Sequence, residues 1–333
     1  MQPRPAHNAR HWRAIWMLVL ATVFWGLSFP TVKALALVHA ALEPGSGNWF
    51  ITAATVGPRF ALGALALFAV EIFRARKHTA GAKDTRTTSN EWKQGAGIGL
   101  FAVGGFILQS DGLQFTEAST SAFLTQLAAI LVPIYLALRT RKNPGWLVWV
   151  CCVLVLAGVA ILGHFDWRAF RFGRGEFETL LCTFFLAGQI LVLDSPAFAG
   201  TRYLRITLIM FATGAAVCLV LALLTMPAPA ALFTPWASAG FIVLTLILTV
   251  FSTTASFLLM NAWQPKITAT EAGLIYCAEP IFGSLFALVL PGIFSAAFAI
   301  AYANETTTWT LLTGGALITG ANILLQLRPP KRA

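Results

Sequence analysis

Two charged residues lie inside long apolar stretches, where an ionisable group needs a chemical reason. Glu279 is in the middle of GLIYCAEPIFGSLF and directly precedes Pro280. Arg59 lies in a second apolar stretch, PRFALGALAL. Three arrangements would stabilise such charges: an ion pair between the two residues, protonation of the carboxyl group, or contact with a water-filled cavity. A carboxyl group in this position is suited to exchange a proton or a charged partner.

Other polar side chains inside apolar stretches are candidates to line the same cavity. Serine and threonine hydroxyls often bond to the backbone of their own helix, so a purely structural role stays open for them. The candidate substrate-binding residues are Trp25, Ser28, Arg59, Gln109, Thr125, Gln126, Gln189, Ser252, Tyr276 and Glu279, with Thr253 as a further candidate. Lys33 and Asp111 lie near the ends of their stretches, where we expect them to pair or to reach the membrane surface.

The sequence offers no arrangement typical of an enzyme. The five cysteines lie in apolar stretches without C-x-x-C spacing, and no P-loop is present. The segment GAGIG (residues 95–99) lacks the complete dinucleotide-binding pattern and predicts close helix packing instead. We therefore expect no enzymatic activity, no metal and no cofactor.

Composition places the chain in a membrane. Only 11% of its residues are charged, and 57% are hydrophobic. So few charges could not cover the surface of a soluble protein of 333 residues. The net charge of +10 comes from short basic clusters between apolar runs, which indicates membrane topology and no nucleic-acid partner. Apolar runs of bilayer length predict an all-α integral membrane protein with ten transmembrane helices, near 14–39, 50–73, 94–114, 117–138, 144–163, 176–195, 205–226, 237–260, 269–290 and 309–327.

The distribution of Lys and Arg predicts the orientation. With the N-terminus in the cytoplasm, the inner segments hold 18 basic residues and the outer loops hold three. Both termini are thus expected to be cytoplasmic, with tails 1–13 and 328–333. Prolines 30, 58, 133 and 280 fall within predicted spans, where each removes one backbone donor and frees a carbonyl, as at Tyr276, for another partner.

Two parts of the chain resemble each other. TSAFLTQ and TEAGLIY lie 150 residues apart and place Gln126 and Tyr276 at equivalent positions. Five spans in each half give the halves opposite orientations in the membrane, the inverted-topology repeat of many secondary transporters. We therefore predict a first repeat at 14–163, an outer linker at 164–175 and a second repeat at 176–327. Gln126 and Tyr276 are expected to face one shared cavity.

Several stretches resemble drug/metabolite transporters of the EamA-domain type. They are VFWGLSFPTVK, PRFALGALAL, GLQFTEASTSAFLTQLAAILVPIYLAL, ATEAGLIYCAEPIFGSLFALVL and ETTTWTLLTGGALITGANILL, the last with Glu305 at the family's usual glutamate. The likeness runs from about residue 14 to 327. The apolar segment 291–304 departs from the family pattern, which usually has a short turn at that point.

The resemblance implies a permease of the cytoplasmic (inner) membrane. It would move small organic metabolites, amino-acid-like or drug-like, by alternating access, and the implied direction is export. Coupling to a proton or a counter-substrate is open, with Glu279 as the candidate. The alternatives are a nucleotide-sugar or phosphate-ester exchanger of the same fold, an intramembrane enzyme, and a channel. An exchanger of phosphate esters would need several cations in the cavity, and only Arg59 and Lys33 qualify.

Overall fold

The regular structure of the described residues is helical throughout. The computed structural model describes residues 5–77, 87–128, 145–162, 173–193, 195–267, 275–276 and 278–326, together with 130–131, 134–135, 138 and 141. Within these residues, five helices are long and apolar enough to cross a membrane, or six when one bent pair counts as a single span. The chain is therefore an all-helical, multi-pass membrane protein, while the number of ten spans stays a prediction.

The helices of the first half coincide with predicted spans. They are α1 (Pro5–Leu42), α2 (Asn48–Lys77), α3 (Ser89–Gly112), α4 (Ala118–Leu124) and α5 (Trp146–Leu162). A 3-10 turn, Thr125–Leu127, continues α4. The prediction that a short turn separates the third and fourth spans is confirmed, because α3 ends at Gly112 and α4 begins at Ala118. Pro133 lies outside the described residues, whereas Pro30 and Pro58 lie inside unbroken helices.

The second half contains more irregular helices. They are α6 (Arg174–Leu193), α7 (Tyr203–Thr225), α8 (Ala239–Ile247), α9 (Ser256–Trp263), α10 (Glu279–Ala287), α11 (Leu290–Phe298) and α12 (Trp309–Gln326). A π-helical segment, Leu248–Ala255, joins α8 to α9, so this helix continues to Lys266, beyond the predicted end at 260.

The region predicted as a single span at 269–290 is not a straight helix. Helix α10 begins only at Glu279, and a break before Leu290 bends α11 by 47° relative to α10. The apolar segment 291–304, which departs from the family pattern, is therefore partly helical. Helix α11 ends at Phe298, and the next residue, Ala299, has a left-handed backbone conformation (φ 54°) that cannot continue the helix.

Polar side chains fix several helix ends. At the start of α3, Thr88 and Glu91 form a reciprocal capping box that satisfies two backbone donors. The start of α4 lacks a cap from its own segment, and Glu305 of the second half accepts the Ala118 N–H at 2.7 Å instead. The family glutamate thus joins the two halves at the N-terminus of α4, where the helix dipole favours an anion.

The closest helix packing runs between the halves. Helix α2 packs on α7, α3 packs on both α6 and α7, α5 packs on α12, and α1 packs on α9 and α10. Glycines permit these approaches: a Cβ on Gly99 would lie 2.9 Å from the Met210 carbonyl oxygen, and one on Gly26 would lie 2.7 Å from the Phe282 Cβ. The prediction that GAGIG serves close helix packing is confirmed at Gly95 and Gly99, which both approach α7.

Candidate functional site

Glu279 is the first residue of α10, at a break in the helical path through the membrane. Pro280 occupies the first turn of α10, where its missing N–H has no partner to lose. The carboxylate lies at the positive end of the α10 dipole. Its side chain is half-buried and forms no hydrogen bond or ion pair with any described residue. The group is available to an outside partner.

Arg59 is a buried cation on α2. Its side chain is 1% exposed, and its guanidinium carbon lies 4.3 Å from the centre of the Phe106 ring and 5.8 Å from that of Phe60. Nε and Nη2 have no hydrogen-bond partner in the described part of the chain. The ion pair with Glu279, one of the three predicted arrangements, is not formed in this structure.

Four aromatic rings connect the surroundings of these two charges. Phe106 lies 5.9 Å from Phe257, Phe257 lies 5.8 Å from Trp25, and Trp25 lies 5.6 Å from Tyr276, all between ring centres and in edge-to-face geometry. We call Phe106, Phe257, Trp25 and Tyr276 the aromatic wall. It extends from Arg59, which stacks on Phe106, to Tyr276, three residues before Glu279. Phe106 and Phe257 are buried, whereas Trp25 and Tyr276 are half-buried, so these last two rings are the ones suited to meet the apolar or aromatic part of a solute.

The wall brings together two predicted site residues from distant parts of the chain. Trp25 is half-buried on α1, and Tyr276 precedes α10. The Tyr276 hydroxyl donates to Gln264 Oε1 at 2.8 Å, which fixes the ring beside Trp25. Phe106 and Phe257 were not among the site residues predicted from the sequence. The available signal was spacing, because Phe106 lies three residues before Gln109 and so on the same helix face.

The predicted hydroxyl residues mostly satisfy structural bonds. Ser28 donates to the Trp25 carbonyl at 2.7 Å, and Thr125 donates to the Ala122 carbonyl at 2.8 Å, both within their own helices. Ser252 donates at 2.8 Å to the Phe24 carbonyl and thereby joins the π-helical segment to α1. The Thr253 hydroxyl is buried and has no partner among the described residues. Of this group, Thr253 has the hydroxyl that is available.

The three predicted glutamines are all buried. Gln109 lies on α3, Gln126 in the 3-10 turn after α4, and Gln189 on α6, with 8%, 6% and 4% of their surfaces exposed. Because an amide group is disfavoured in contact with lipid, the burial of these three side chains agrees with positions between helices. That Gln126 and Tyr276 face one cavity stays a prediction.

Of the two residues expected to pair or to reach the membrane surface, Asp111 forms an ion pair and Lys33 forms a hydrogen bond to the backbone. The Lys33 ammonium donates to the Thr116 carbonyl. Asp111 is fully buried, accepts the Thr52 hydroxyl at 3.1 Å, and forms an ion pair with Arg174 at the start of α6. Neither side chain contributes to the aromatic wall, so Arg59 is its only cation among the described residues.

Three comparisons with known proteins found similarities to this chain. Residues 12–163 match the EamA-like transporter family. Over 319 residues the chain is 25% identical to an uncharacterized transporter of Archaeoglobus fulgidus, covering 93% of this chain and 85% of that protein. A protein of known crystal structure shares the fold with a TM-score of 0.57 at 18% identity, over 94% of this chain and 96% of the other.

The family match covers the segments of the first half that carry the predicted motifs, including Trp25, Arg59 and Gln126. The structural likeness extends over both halves and shows a shared fold alone. The resemblance predicted from the sequence motifs is confirmed for the first half. Residues 12–163 are thus similar to the EamA-like transporter family.

Proposed function

We propose that this chain is a secondary transporter that moves small organic metabolites, amino-acid-like or drug-like, across the cytoplasmic membrane by alternating access. One observation carries the proposal: two charges lie inside predicted membrane spans without pairing with each other. Arg59, in the half that matches EamA-like transporters, stacks on Phe106 of the aromatic wall, and Glu279, in the other half, follows Tyr276 of the wall by three residues. A charged side chain inside a membrane costs several kcal/mol of free energy, and such residues mark the pathways of transported substrates and ions. A break in a helix at Glu279 is the kind of backbone that binds solutes or ions in transporters.

The helix contacts support two inverted repeats of five helices and ten spans in total. In that arrangement each helix of the first half has a counterpart in the second half: α1 corresponds to α6, α2 to α7, α3 to α8–α9, α4 to α10, and α5 to α12. The contact of α1 with α9 then corresponds to that of α6 with α3, and the contact of α1 with α10 to that of α6 with α4. Helices α2 and α7, and likewise α5 and α12, pack on their own counterparts. A pattern that is unchanged when the halves are exchanged is expected of a pseudo-two-fold axis in the membrane plane.

The units that move are proposed to combine helices from both halves. Three ion pairs join helices of the two halves. Glu91–Arg202 joins α3 to α7, Glu71–Arg205 joins α2 to α7, and Asp111–Arg174 joins α3 to α6. The first two lie at the predicted cytoplasmic ends of these helices and the third at the outer ends. Because α2, α3, α6 and α7 are joined at both ends, we expect them to move as one body against the α1, α4, α9 and α10 group.

Within this scheme, the candidate residues have different roles. Trp25, Tyr276 and Arg59 contact the solute, with Gln109, Gln126 and Gln189 as further hydrogen-bonding groups. Glu279 exchanges a proton or a partner during the cycle. Ser28, Thr125 and Ser252 stabilise the helices through the backbone bonds described above. The direction is export and both termini are cytoplasmic, on the strength of the family resemblance and of the 18-to-3 distribution of basic residues.

The alternatives receive less support from the site. A nucleotide-sugar or phosphate-ester exchanger needs several cations in its cavity, and Lys33 bonds to the Thr116 carbonyl away from the aromatic wall. A channel would need a polar filter. An enzyme would need a nucleophile, a metal or paired acids, and the described residues contain no cluster of metal-binding side chains.

A resistance screen tests the transport proposal. Cells that lack the protein, that hold it at normal level, and that overproduce it would be grown against a panel of toxic amino-acid analogues, weak acids and drugs. The proposal predicts that overproduction raises tolerance to a restricted chemical group and that deletion lowers it. Equal tolerance of all three strains to every compound, with the protein confirmed in the membrane fraction, would contradict it.

A further inference from the structure

Arg59 differs from the other arginines whose partners are described. Arg174, Arg202 and Arg205 each pair with a carboxylate near a helix end. Arg59 lies deeper in its helix and is 1% exposed, and its Nε and Nη2 donors have no partner in the described residues. A guanidinium that is buried without a counter-charge is strongly disfavoured. Its retention calls for a partner that arrives from outside the chain.

The two free donors form one recognition edge. In any arginine, Nε–H and one N–H of Nη2 lie on the same side of the guanidinium plane and point in parallel directions, matching the two oxygens of a carboxylate. The chain itself shows this geometry at Arg202, whose Nε and Nη2 donate to the two oxygens of Glu91 at 2.7 and 2.8 Å. On Arg59 the same edge is free.

The acids of the described residues do not neutralise Arg59. Asp111, Glu91 and Glu71 are each paired with another arginine. Glu279 is the acid nearest the aromatic wall in sequence and forms no bond to Arg59 in this structure. Phe106 covers one face of the guanidinium at 4.3 Å, which stabilises the cation but supplies no acceptor for its N–H groups.

We propose that Arg59 binds the carboxylate of an anionic solute through its Nε–Nη2 edge, while the aromatic wall holds the solute's planar or apolar body. The inference rests on the proposed transport function and adds the substrate class to it. A monoanion fits because one guanidinium supplies one positive charge, and a phosphate dianion would need the second cation that the wall lacks. The substrate class is therefore aromatic or apolar carboxylates, including those of amino acids.

Equilibrium dialysis of the purified protein against matched probes tests this assignment. The probes are 3-phenylpropionate and 3-phenylpropionamide, and indole-3-acetate and indole-3-acetamide, which differ within each pair only in the charged group. Wild-type protein is expected to bind each carboxylate at least about tenfold more tightly than its amide, as a charge-assisted bidentate bond requires. Arg59→Gln is expected to lose that preference, so that each carboxylate and its amide bind with similar affinity.

Two variants keep the result specific. Lys33→Gln removes an intramembrane cation away from the wall and should leave the carboxylate preference unchanged. Arg59→Lys keeps the charge without the planar edge and should retain only part of the preference. Equal binding of carboxylates and amides by wild-type protein overturns the inference, even if Arg59→Gln fails to fold. A preference that persists in folded Arg59→Gln overturns it as well.

Transport assays separate this inference from the function on which it rests. Proteoliposomes that move amines or neutral solutes but no carboxylate would refute the role of Arg59 and leave the transporter proposal intact. Proteoliposomes that move no solute at all would refute transport itself. Uptake of carboxylates by wild type, reduced at least tenfold in folded Arg59→Gln, would support both.

Discussion

The contact between Glu91 and Arg202 gives a prediction whose size follows from the structure. Glu91 is 2% exposed at the start of α3, ahead of the predicted span. Its two oxygens accept the Nε and Nη2 donors of Arg202 at 2.7 and 2.8 Å, with further bonds from the backbone N–H groups of Arg202 and Thr88. The Arg202 hydrogen bonds in particular lower the pKa of Glu91 from 4.5 to about 2. The ionised form is thus the one that folding favours.

Replacing Glu91 with Gln removes this stabilisation. The lowered pKa alone corresponds to about 3.4 kcal/mol. Because the Arg202 side chain is 42% exposed, solvent screens the pair and we expect about 1–2 kcal/mol. For a chain of this size, that is a fall in Tm of about 2–5 °C at pH 7.

The pH dependence has a fixed sign. A lowered pKa in the folded state stabilises the protein above pH 4.5, and that contribution is lost as the pH falls toward about 2. The difference in Tm between wild type and Glu91→Gln should therefore shrink to less than half at pH 3. Thermal unfolding in detergent at both pH values measures it, with Glu43→Gln as a control, since Glu43 forms no side-chain bond in the described structure. An unchanged Tm at pH 7, or an equal deficit at both pH values, would refute the reasoning.

Three further predictions concern the site, the packing and the topology. Glu279→Gln should accumulate normally but lose transport or its pH dependence, and wild-type transport across the pH range would remove Glu279 from the cycle. Gly26→Val should destabilise the protein by about 1–3 kcal/mol in thermal unfolding, because its Cβ would lie 2.7 Å from the Phe282 Cβ. Gly47→Ala, with nothing within 4 Å of the new Cβ, is its control, and equal losses would contradict the packing argument. A cysteine at Gly47 should react with an impermeant label from outside and one at Lys83 should not, and the reverse pattern would invert the topology.

Hydropathy was enough to locate most helices, because a bilayer requires apolar runs of a fixed length. Helix α7, for example, spans Tyr203–Thr225 where 205–226 was predicted. Departures from regular α-helix carry no such signal. The π-helical Leu248–Ala255 differs from α-helix only in backbone pairing, and the apolar composition of Leu290–Phe298 does not distinguish a bent helix from a loop.

In the candidate site, too, the sequence identified residues but not their contacts. The sequence places Arg59 and Glu279 inside apolar stretches that are predicted to span the membrane, and an ion pair between them was one of three possible arrangements. Depth does not fix the direction in which each side chain points around its helix, so the stacking of Arg59 on Phe106 was not foreseen. The bond from Ser252 to the Phe24 carbonyl joins residues 228 positions apart, and contacts at that separation depend on the assembled fold.

Efflux from proteoliposomes tests the central claim most directly. Vesicles with wild-type protein, with Glu279→Gln and without protein would be loaded with an isotopically labelled metabolite extract, and the solutes that leave would be measured by mass spectrometry. We expect a small group of organic solutes to leave the wild-type vesicles and to be retained by the vesicles without protein. Efflux through Glu279→Gln should be lost or no longer depend on pH. Equal retention of every solute in all three preparations, with the protein folded and inserted, would contradict the assignment of this chain as a transporter.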